Sequence, residues 1–266
     1  MKIAIIGSGS QSPTLPPHLR ELARPGVELA LVQPRLSLFA FTAYERLLVD
    51  VGYVDACQQA AAEGADAIVI NSFADYGIDA ARAVVDVPVY GAGESALAEA
   101  ADQGLFGIVT VWPASMGFLY TERLRSLRLE ARCVALHHVQ NEDELERLAD
   151  ETGVMQRMAR QESDIIRTLQ ASGEKLMQQG ANSIVLGCTC MGPIALELQK
   201  LARVPVIEGS VAAVRAAIAG KSQPMSKDCR THQPNLIPDL IERGVTLPSP
   251  PQTGDCPVCI STESEP

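Results

Sequence analysis

The sequence predicts an α/β protein of two pseudo-symmetric, doubly wound lobes with parallel sheets, an active site between them and an irregular C-terminal tail. Two observations carry this. Short apolar runs bounded by Gly, Pro or Ser alternate with longer helix-like segments over about the first 220 residues, which implies parallel strands joined by crossover helices. The stretch Gly64-Ala65-Asp66-Ala67-Ile68-Val69-Ile70-Asn71-Ser72 then recurs without a gap as Gly180-Ala181-Asn182-Ser183-Ile184-Val185-Leu186-Gly187-Cys188. Each copy is followed by a helix-sized segment and a Val-Pro-Val strand, Val87-Pro88-Val89 in one half and Val204-Pro205-Val206 in the other, the mark of a duplicated unit.

In chain order the apolar runs predict strands at 2–6, 27–32, 67–70, 87–90, 107–111, 133–136, 183–186 and 204–207. Helical patterns fall at 44–62, 78–85, 114–127, 154–179 and 194–201. The units are then a first lobe at 1–104, a second at 105–220 and a tail at 221–266, with the two lobes open to an exchange of helices. The tail is rich in Pro, Ser and Thr and holds one short helical candidate at 237–243.

With 47% hydrophobic and 20% charged residues, the 266-residue chain has the composition of a globular protein able to bury a sizeable core. A net charge of −10 without a Lys/Arg cluster argues against nucleic-acid binding, which needs a basic surface. The apolar run after Met1-Lys2 is too short for a signal segment, and no run approaches the roughly eighteen apolar residues of a membrane span. The expectation is a cytoplasmic protein acting on a small molecule, with no nucleic-acid or membrane partner and with homo-oligomeric assembly. Reduced thiols are expected there, so seven cysteines point to catalysis or metal binding before disulfides. Cys57, in a helix, and Cys133, in a strand, read as buried structural thiols.

Ligands of parallel α/β sheets bind beyond the carboxyl ends of the strands, and the repeat puts Ser72 and Cys188 at equivalent strand ends. If the lobes face each other, these two side chains flank one substrate. Inverting a carbon next to a carbonyl requires a base on one face and an acid on the other, and a thiol in the loop Gly187-Cys188-Thr189-Cys190-Met191-Gly192, just before a helix, suits that task.

The segment Ile184-Val185-Leu186-Gly187-Cys188-Thr189-Cys190-Met191 resembles the second-cysteine motif of hydantoin racemases, in the aspartate/glutamate/hydantoin racemase superfamily. Asn71-Ser72-Phe73-Ala74-Asp75-Tyr76-Gly77-Ile78-Asp79-Ala80-Ala81 resembles their first-cysteine motif, and Val109-Thr110 and the Val-Pro-Val strands also match, over roughly residues 1–220. The resemblance implies a two-lobed fold, no organic cofactor, and paired cysteines acting as acid and base on an α-carbon. Cys188 carries over directly. Ser72 stands where the first cysteine belongs, which favours, beside racemisation, a one-cysteine lyase protonating from one face. Gly7-Ser8-Gly9-Ser10-Gln11-Ser12 replaces an Asn-Pro-Asn-Thr-like loop; it resembles the start of a dinucleotide fingerprint, but Ser12 takes the place of the last glycine.

Ser8, Ser10, Asn71, Phe73, Thr110, Thr189 and Cys190 are candidate substrate contacts, with local capping the alternative for Thr110 and Thr189. His137-His138 reads as a structural pair before an acid, and Glu94 and Glu208 follow the two Val-Pro-Val strands as cleft carboxylates, with helix N-terminal capping the plain alternative for both. In the tail, Cys229-x2-His232 and Cys256-x2-Cys259, separated by 23 residues, suit a tetrahedral zinc. The metal is expected to be structural; with Cys190 in place of a tail ligand it would lie at the cleft and allow a zinc-assisted hydrolase, including a desulfhydrase acting on a thiohydantoin-like ring. A non-catalytic small-molecule sensor is the reading from outside enzymology.

Overall fold

The computed structural model describes residues 1–7, 14–147, 150, 152–221 and 233–243. Among these residues eight strands form two four-stranded parallel sheets. The first contains β1 (Lys2–Ile6), β2 (Glu28–Val32), β3 (Ala67–Ile70) and β4 (Val89–Gly91), in the order β2-β1-β3-β4. The second contains β5 (Phe106–Thr110), β6 (Cys133–His138), β7 (Ser183–Leu186) and β8 (Val206–Ile207), in the order β6-β5-β7-β8. Both sheets therefore follow one winding, as the repeat requires.

The duplication holds at the level of single hydrogen bonds. Asp66 N–H donates to Lys2 O at 2.8 Å and its counterpart Asn182 N–H to Leu105 O at 2.7 Å; Asn71 to Ile6 and Gly187 to Val109 are both 2.8 Å. The helices leading into these strands, α2 (Ala43–Ala62) and α7 (Ser163–Gln178), end alike as well. Gly64 and Gly180 take left-handed φ values of 81° and 97°, while Ala65 N–H reaches back to Ala60 O and Ala181 N–H to Leu176 O. A side chain there would strain the backbone, so glycine ends both helices and aims the chain into the sheet.

Alternation along β1 and β3 sends residues to two layers. Ala4, Ile6, Ile68 and Ile70 pack with α2 and with α3 (Ile78–Val84), while Ile3, Ile5, Ala67 and Val69 pack with Ala213, Val214 and Ala217 of α9 (Gly209–Ile218). Strands buried on both faces explain runs without polar alternation. α9 follows the last strand of the second sheet but covers the first. In return α4 (Ala92–Asp102), which follows the first sheet, places Ala96, Leu97 and Ala100 in the core of the second with Phe106, Ile108 and Val185. The lobes thus exchange helices.

Some expected boundaries move. The Val-Pro-Val strands begin at Val89 and Val206 because Pro88 and Pro205 have no N–H to donate; their carbonyls instead accept from Ile68 and Ile184, both at 2.9 Å. The predicted 154–179 helix is two, α6 (Val154–Ala159) and α7, broken where Gln161 adopts φ 54°. The 114–127 segment opens with a 3₁₀ turn at Ala114–Met116 before α5 (Gly117–Leu127). A short α1 (Pro17–Arg20) precedes β2, and α8 (Gly192–Leu201) follows β7. The tail's helical candidate is α10 (Leu236–Glu242), whose Ile237 packs on the core beneath α2. No helix among the described residues is long and apolar enough to cross a membrane.

Candidate active site

The carboxyl ends of β3 and β7 carry the two repeat-equivalent residues, and each enters the same turn. In the first lobe Ala74 N–H donates to Ser72 Oγ at 3.3 Å and Asp75 N–H to Ser72 O at 3.0 Å. In the second, Cys190 N–H donates to Cys188 Sγ at 3.2 Å and Met191 N–H to Cys188 O at 3.0 Å. Both Ser72 and Cys188 are half-buried. The Ser72 hydroxyl stands beside the Tyr76 phenol, whose pKa burial pushes up to about 12. In this structure the Cys188 sulfur is joined to Cys190 in a disulfide.

The two strand ends are tied together. Thr189 Oγ1 donates to Asn71 O at 3.3 Å, and Ser210 Oγ, at the start of α9, donates to Asn71 Oδ1. Asn71 and Thr189 thereby join the lobes directly beside Ser72 and Cys188. Glu208 caps α9, accepting from Ser210 N–H at 3.0 Å and Val211 N–H at 2.8 Å, and its burial raises its pKa. Of its two readings, Glu208 takes the helix cap.

Beneath Cys188 lies a buried polar clamp. Tyr120 of α5 donates its hydroxyl to Gly187 O at 2.8 Å and accepts from Thr110 Oγ1 at 2.5 Å, while Thr110 accepts from Trp112 N–H at 3.2 Å. Thr110 is fully buried, so its hydroxyl is used in holding the β7 end. Gly187 permits the close approach, since a Cβ there would lie 2.8 Å from Tyr120 Cε1 and 2.9 Å from Thr110 Cβ. Phe73 turns into the same wall, with its ring centroid 5.2 Å from that of Tyr120 and 5% of its surface exposed. Cys190 is likewise buried.

Three residues beyond the sequence-level candidates frame the site. Asp75 is buried, with φ 48°, and accepts from Gly93 N–H at 2.8 Å, Glu94 N–H at 2.7 Å and Arg123 Nη1 at 3.2 Å. Burial pushes its pKa up to about 7 against the pull of Arg123 and the two N–H donors. A Cβ at Gly91 would collide with the Asp75 carboxylate. Gly91 is the repeat equivalent of Glu208, so both exchanged helices receive a carboxylate at their N-terminus, one from the cap residue and one from the Ser72 loop. Tyr120 is the second. His18 of α1 is the third: its ring fills the space beside Gly192 where a Cβ would go, its Nδ1 is buried without a hydrogen-bond partner among the described residues, and burial lowers its pKa to about 4.

The remaining candidates divide. Glu94 does not cap α4 with its side chain but forms a partly buried ion pair with Arg82. His137 and His138 engage Ser172 Oγ and Trp112 O, each at 2.9 Å, with roles local to β6. Cys57 and Cys133 are free thiols whose pKa values burial raises to about 12 and about 11. Ser8, Ser10, Cys229, His232, Cys256 and Cys259 lie outside the described residues. Among the described residues no group of three or more His, Cys, Asp or Glu side chains is arranged to hold a metal.

Two crossed α/β lobes with a serine and a cysteine at matched strand ends define the architecture of a two-lobed racemase-type enzyme. Residues 3–217 match the Asp/Glu/Hydantoin racemase family model, and the chain belongs to that family. It is 29% identical to a hydantoin racemase of Pseudomonas sp. (strain NS671) over 214 residues, 74% of this chain and 76% of that one. A solved allantoin racemase from Klebsiella pneumoniae superposes with a TM-score of 0.71 at 26% identity, covering 86% of this chain and 92% of the other. A glutamate racemase from Francisella tularensis, at 11% identity and a TM-score of 0.59 over 87% of this chain and 83% of the other, shares the fold.

Proposed function

We propose that the protein is a cofactor-independent isomerase of hydantoin-like cyclic amides, in which Cys188 moves the proton at the ring carbon next to the carbonyl and Ser72 faces that carbon from the other side. The observation that carries this reading is the matched turn at Ser72 and Cys188, with the two loops linked through Asn71 and Thr189. The likeness to proteins named hydantoin and allantoin racemase supports the ring as substrate class over an open-chain amino acid.

In its reduced form Cys188 has two influences that favour a thiolate, the Cys190 N–H and its place as N-cap of the 3₁₀ turn Thr189–Met191 that leads into α8. The thiolate takes the α-proton and leaves an enolate; a proton delivered on the opposite face, from the Ser72 hydroxyl backed by Tyr76, completes inversion. A serine is a poor base, so the two faces are unequal. Substrate presented to Cys188 exchanges its α-proton faster than it inverts.

Ser72 favours a second reading, a one-cysteine lyase that decarboxylates a malonate-type acid and protonates the carbanion from Cys188 alone. One experiment separates them: reduced protein is incubated in D2O with 5-substituted hydantoins, thiohydantoins, amino acids and malonates. Deuterium at the α-carbon with loss of optical rotation for a hydantoin supports the isomerase. Loss of carbon dioxide supports the lyase, and absence of both with tight ligand binding supports a sensor. The tail's two ligand pairs, Cys229/His232 and Cys256/Cys259, support a structural zinc by their spacing.

A further inference from the structure

We propose that Cys188 and Cys190 form an oxidation site, a dithiol that a peroxide closes to a disulfide, silencing the chemistry at Cys188, and that a thiol reductant reopens. The effect on turnover rests on the proposed role of Cys188; the oxidation itself does not.

The two sulfurs are bonded in this structure with Cα atoms 5.2 Å apart, inside the span of roughly 4.4–6.8 Å that a disulfide bridges. The first lobe supplies an internal control. Ser72 makes the same turn with no such bond, holding Asp75 N–H to Ser72 O at 3.0 Å as Met191 N–H is held to Cys188 O at 3.0 Å. The backbone that accommodates the disulfide is therefore also the backbone that forms without one, and closing or opening the bond requires no rearrangement of β7 or α8.

Exposure assigns the two sulfurs different parts. Cys188 is half-buried, within reach of a small oxidant, and its sulfur accepts the Cys190 N–H; Cys190 is 4% exposed and lies behind it. The Cys188 thiolate attacks one oxygen of the peroxide, breaking the O–O bond, so that with one proton taken up the products are a Cys188 sulfenic acid and water. Cys190, losing its proton, then attacks the Cys188 sulfur and displaces hydroxide, which leaves with that proton as a second water. Two electrons have passed from the sulfur pair to the peroxide. Two equivalents of a small thiol return them by exchange and leave as a disulfide. Cys57 and Cys133 do not compete, because burial raises both thiols to pKa values of about 12 and about 11 and keeps them protonated. In a thiol-buffered compartment a disulfide of this kind is transient, as a switch requires.

The full chain decides the matter. Protein is reduced, freed of reductant, treated with stoichiometric hydrogen peroxide and digested with trypsin; residues 176–200 form one tryptic peptide that contains Cys188 and Cys190 and no other cysteine. That peptide is expected to lose the mass of two hydrogens while turnover falls at least about tenfold, and dithiothreitol is expected to restore both. In Cys190→Ser, compared with its own untreated rate, stoichiometric peroxide is expected to add one oxygen to Cys188 as a sulfenic acid without loss of two hydrogens, and excess peroxide to carry it on to the sulfinic acid, a loss that dithiothreitol does not reverse. A wild-type peptide that stays a dithiol or only gains oxygen overturns the proposal, as does a disulfide form that keeps full turnover. Should Cys190→Ser not fold, the wild-type peptide mass and its recovery still decide. A Cys188→Ala protein that keeps its turnover overturns the acid/base reading instead and leaves the peptide mass to decide the oxidation site.

Discussion

Ser72 and Cys188, 116 positions apart in the chain, hold the same backbone turn at matched strand ends: each side chain accepts the N–H two residues on, at 3.3 and 3.2 Å, and each carbonyl accepts the N–H three residues on, at 3.0 Å in both. The geometry was duplicated and kept, while the side-chain atom at its centre differs, oxygen in one lobe and sulfur in the other. A thiol ionises within reach of neutral pH and a serine hydroxyl does not, so on the proposed mechanism only the reduced Cys188 turn can offer a base. Cys188→Ala is therefore expected to lower turnover by about 100-fold or more with an unchanged thermal transition. Retention of a tenth of the wild-type rate would remove Cys188 from the mechanism.

Ser72→Cys should place a second thiol in a turn already shaped for one. Wash-in of deuterium from the enantiomer that wild type handles slowly is expected to rise about tenfold or more, approaching the rate of the other. Unchanged exchange from both enantiomers would mean that position 72 does not face the reacting carbon.

The matched turn also explains what could be read in advance. The central strands β1, β3, β5 and β7 were legible because strands buried on both faces are continuous apolar runs, and the matched positions of Ser72 and Cys188 because duplication aligned them. The clamp on Gly187 was not, since Tyr120 and Thr110 meet it only when β5, β7 and α5 are assembled. Asp75 was hidden for the same reason: its partners Gly93, Glu94 and Arg123 come from two further helices, α4 and α5. Helical periodicity across 154–179 concealed a break that depends on one residue, Gln161, entering the left-handed region. Nor does Cys-x-Cys spacing announce a disulfide.

Tyr120→Phe removes one oxygen and leaves Gly187 O and the Thr110 hydroxyl without their partner. Unsatisfied buried groups cost about 1–3 kcal/mol, which for a chain of this size lowers the melting temperature by roughly 2–4 °C per kcal/mol. Because Gly187 precedes Cys188, a loosened strand end should reduce kcat by about tenfold or more with a smaller change in KM. A stable variant with wild-type kcat would show that the clamp serves only the core.

His18 gives the stability a pH dependence with a defined sign. Burial lowers its pKa to about 4 in the folded protein, below the value of about 6.5 in an unfolded chain. Between these values the unfolded state binds the proton more tightly, so the His18 contribution is fully present above about pH 6.5 and is lost as pH falls toward 4. Its upper size is about 3 kcal/mol at 1.36 kcal/mol per pKa unit. Denaturant melts at pH 7 and 4.5 should show wild type losing more stability than His18→Gln, and parallel losses in the two proteins would refute the assignment.

The tail prediction rests on ligand spacing alone. Cys229 and His232, and Cys256 and Cys259, are two pairs of zinc-type ligands separated by 23 residues, and four such ligands complete a closed tetrahedral site. Closing that connection costs entropy that grows only with the logarithm of its length, whereas a structural zinc contributes on the order of 10 kcal/mol to the segment it organises. Protein purified without added metal should therefore contain close to one zinc per chain, and Cys256→Ser should release it. With a structural zinc, that variant loses protection of the tail from proteolysis and keeps α-proton exchange at Cys188. Exchange that falls with zinc content and returns on adding zinc would move the metal to the cleft, and a zinc-free wild-type protein with a protease-resistant tail and full activity would refute the site.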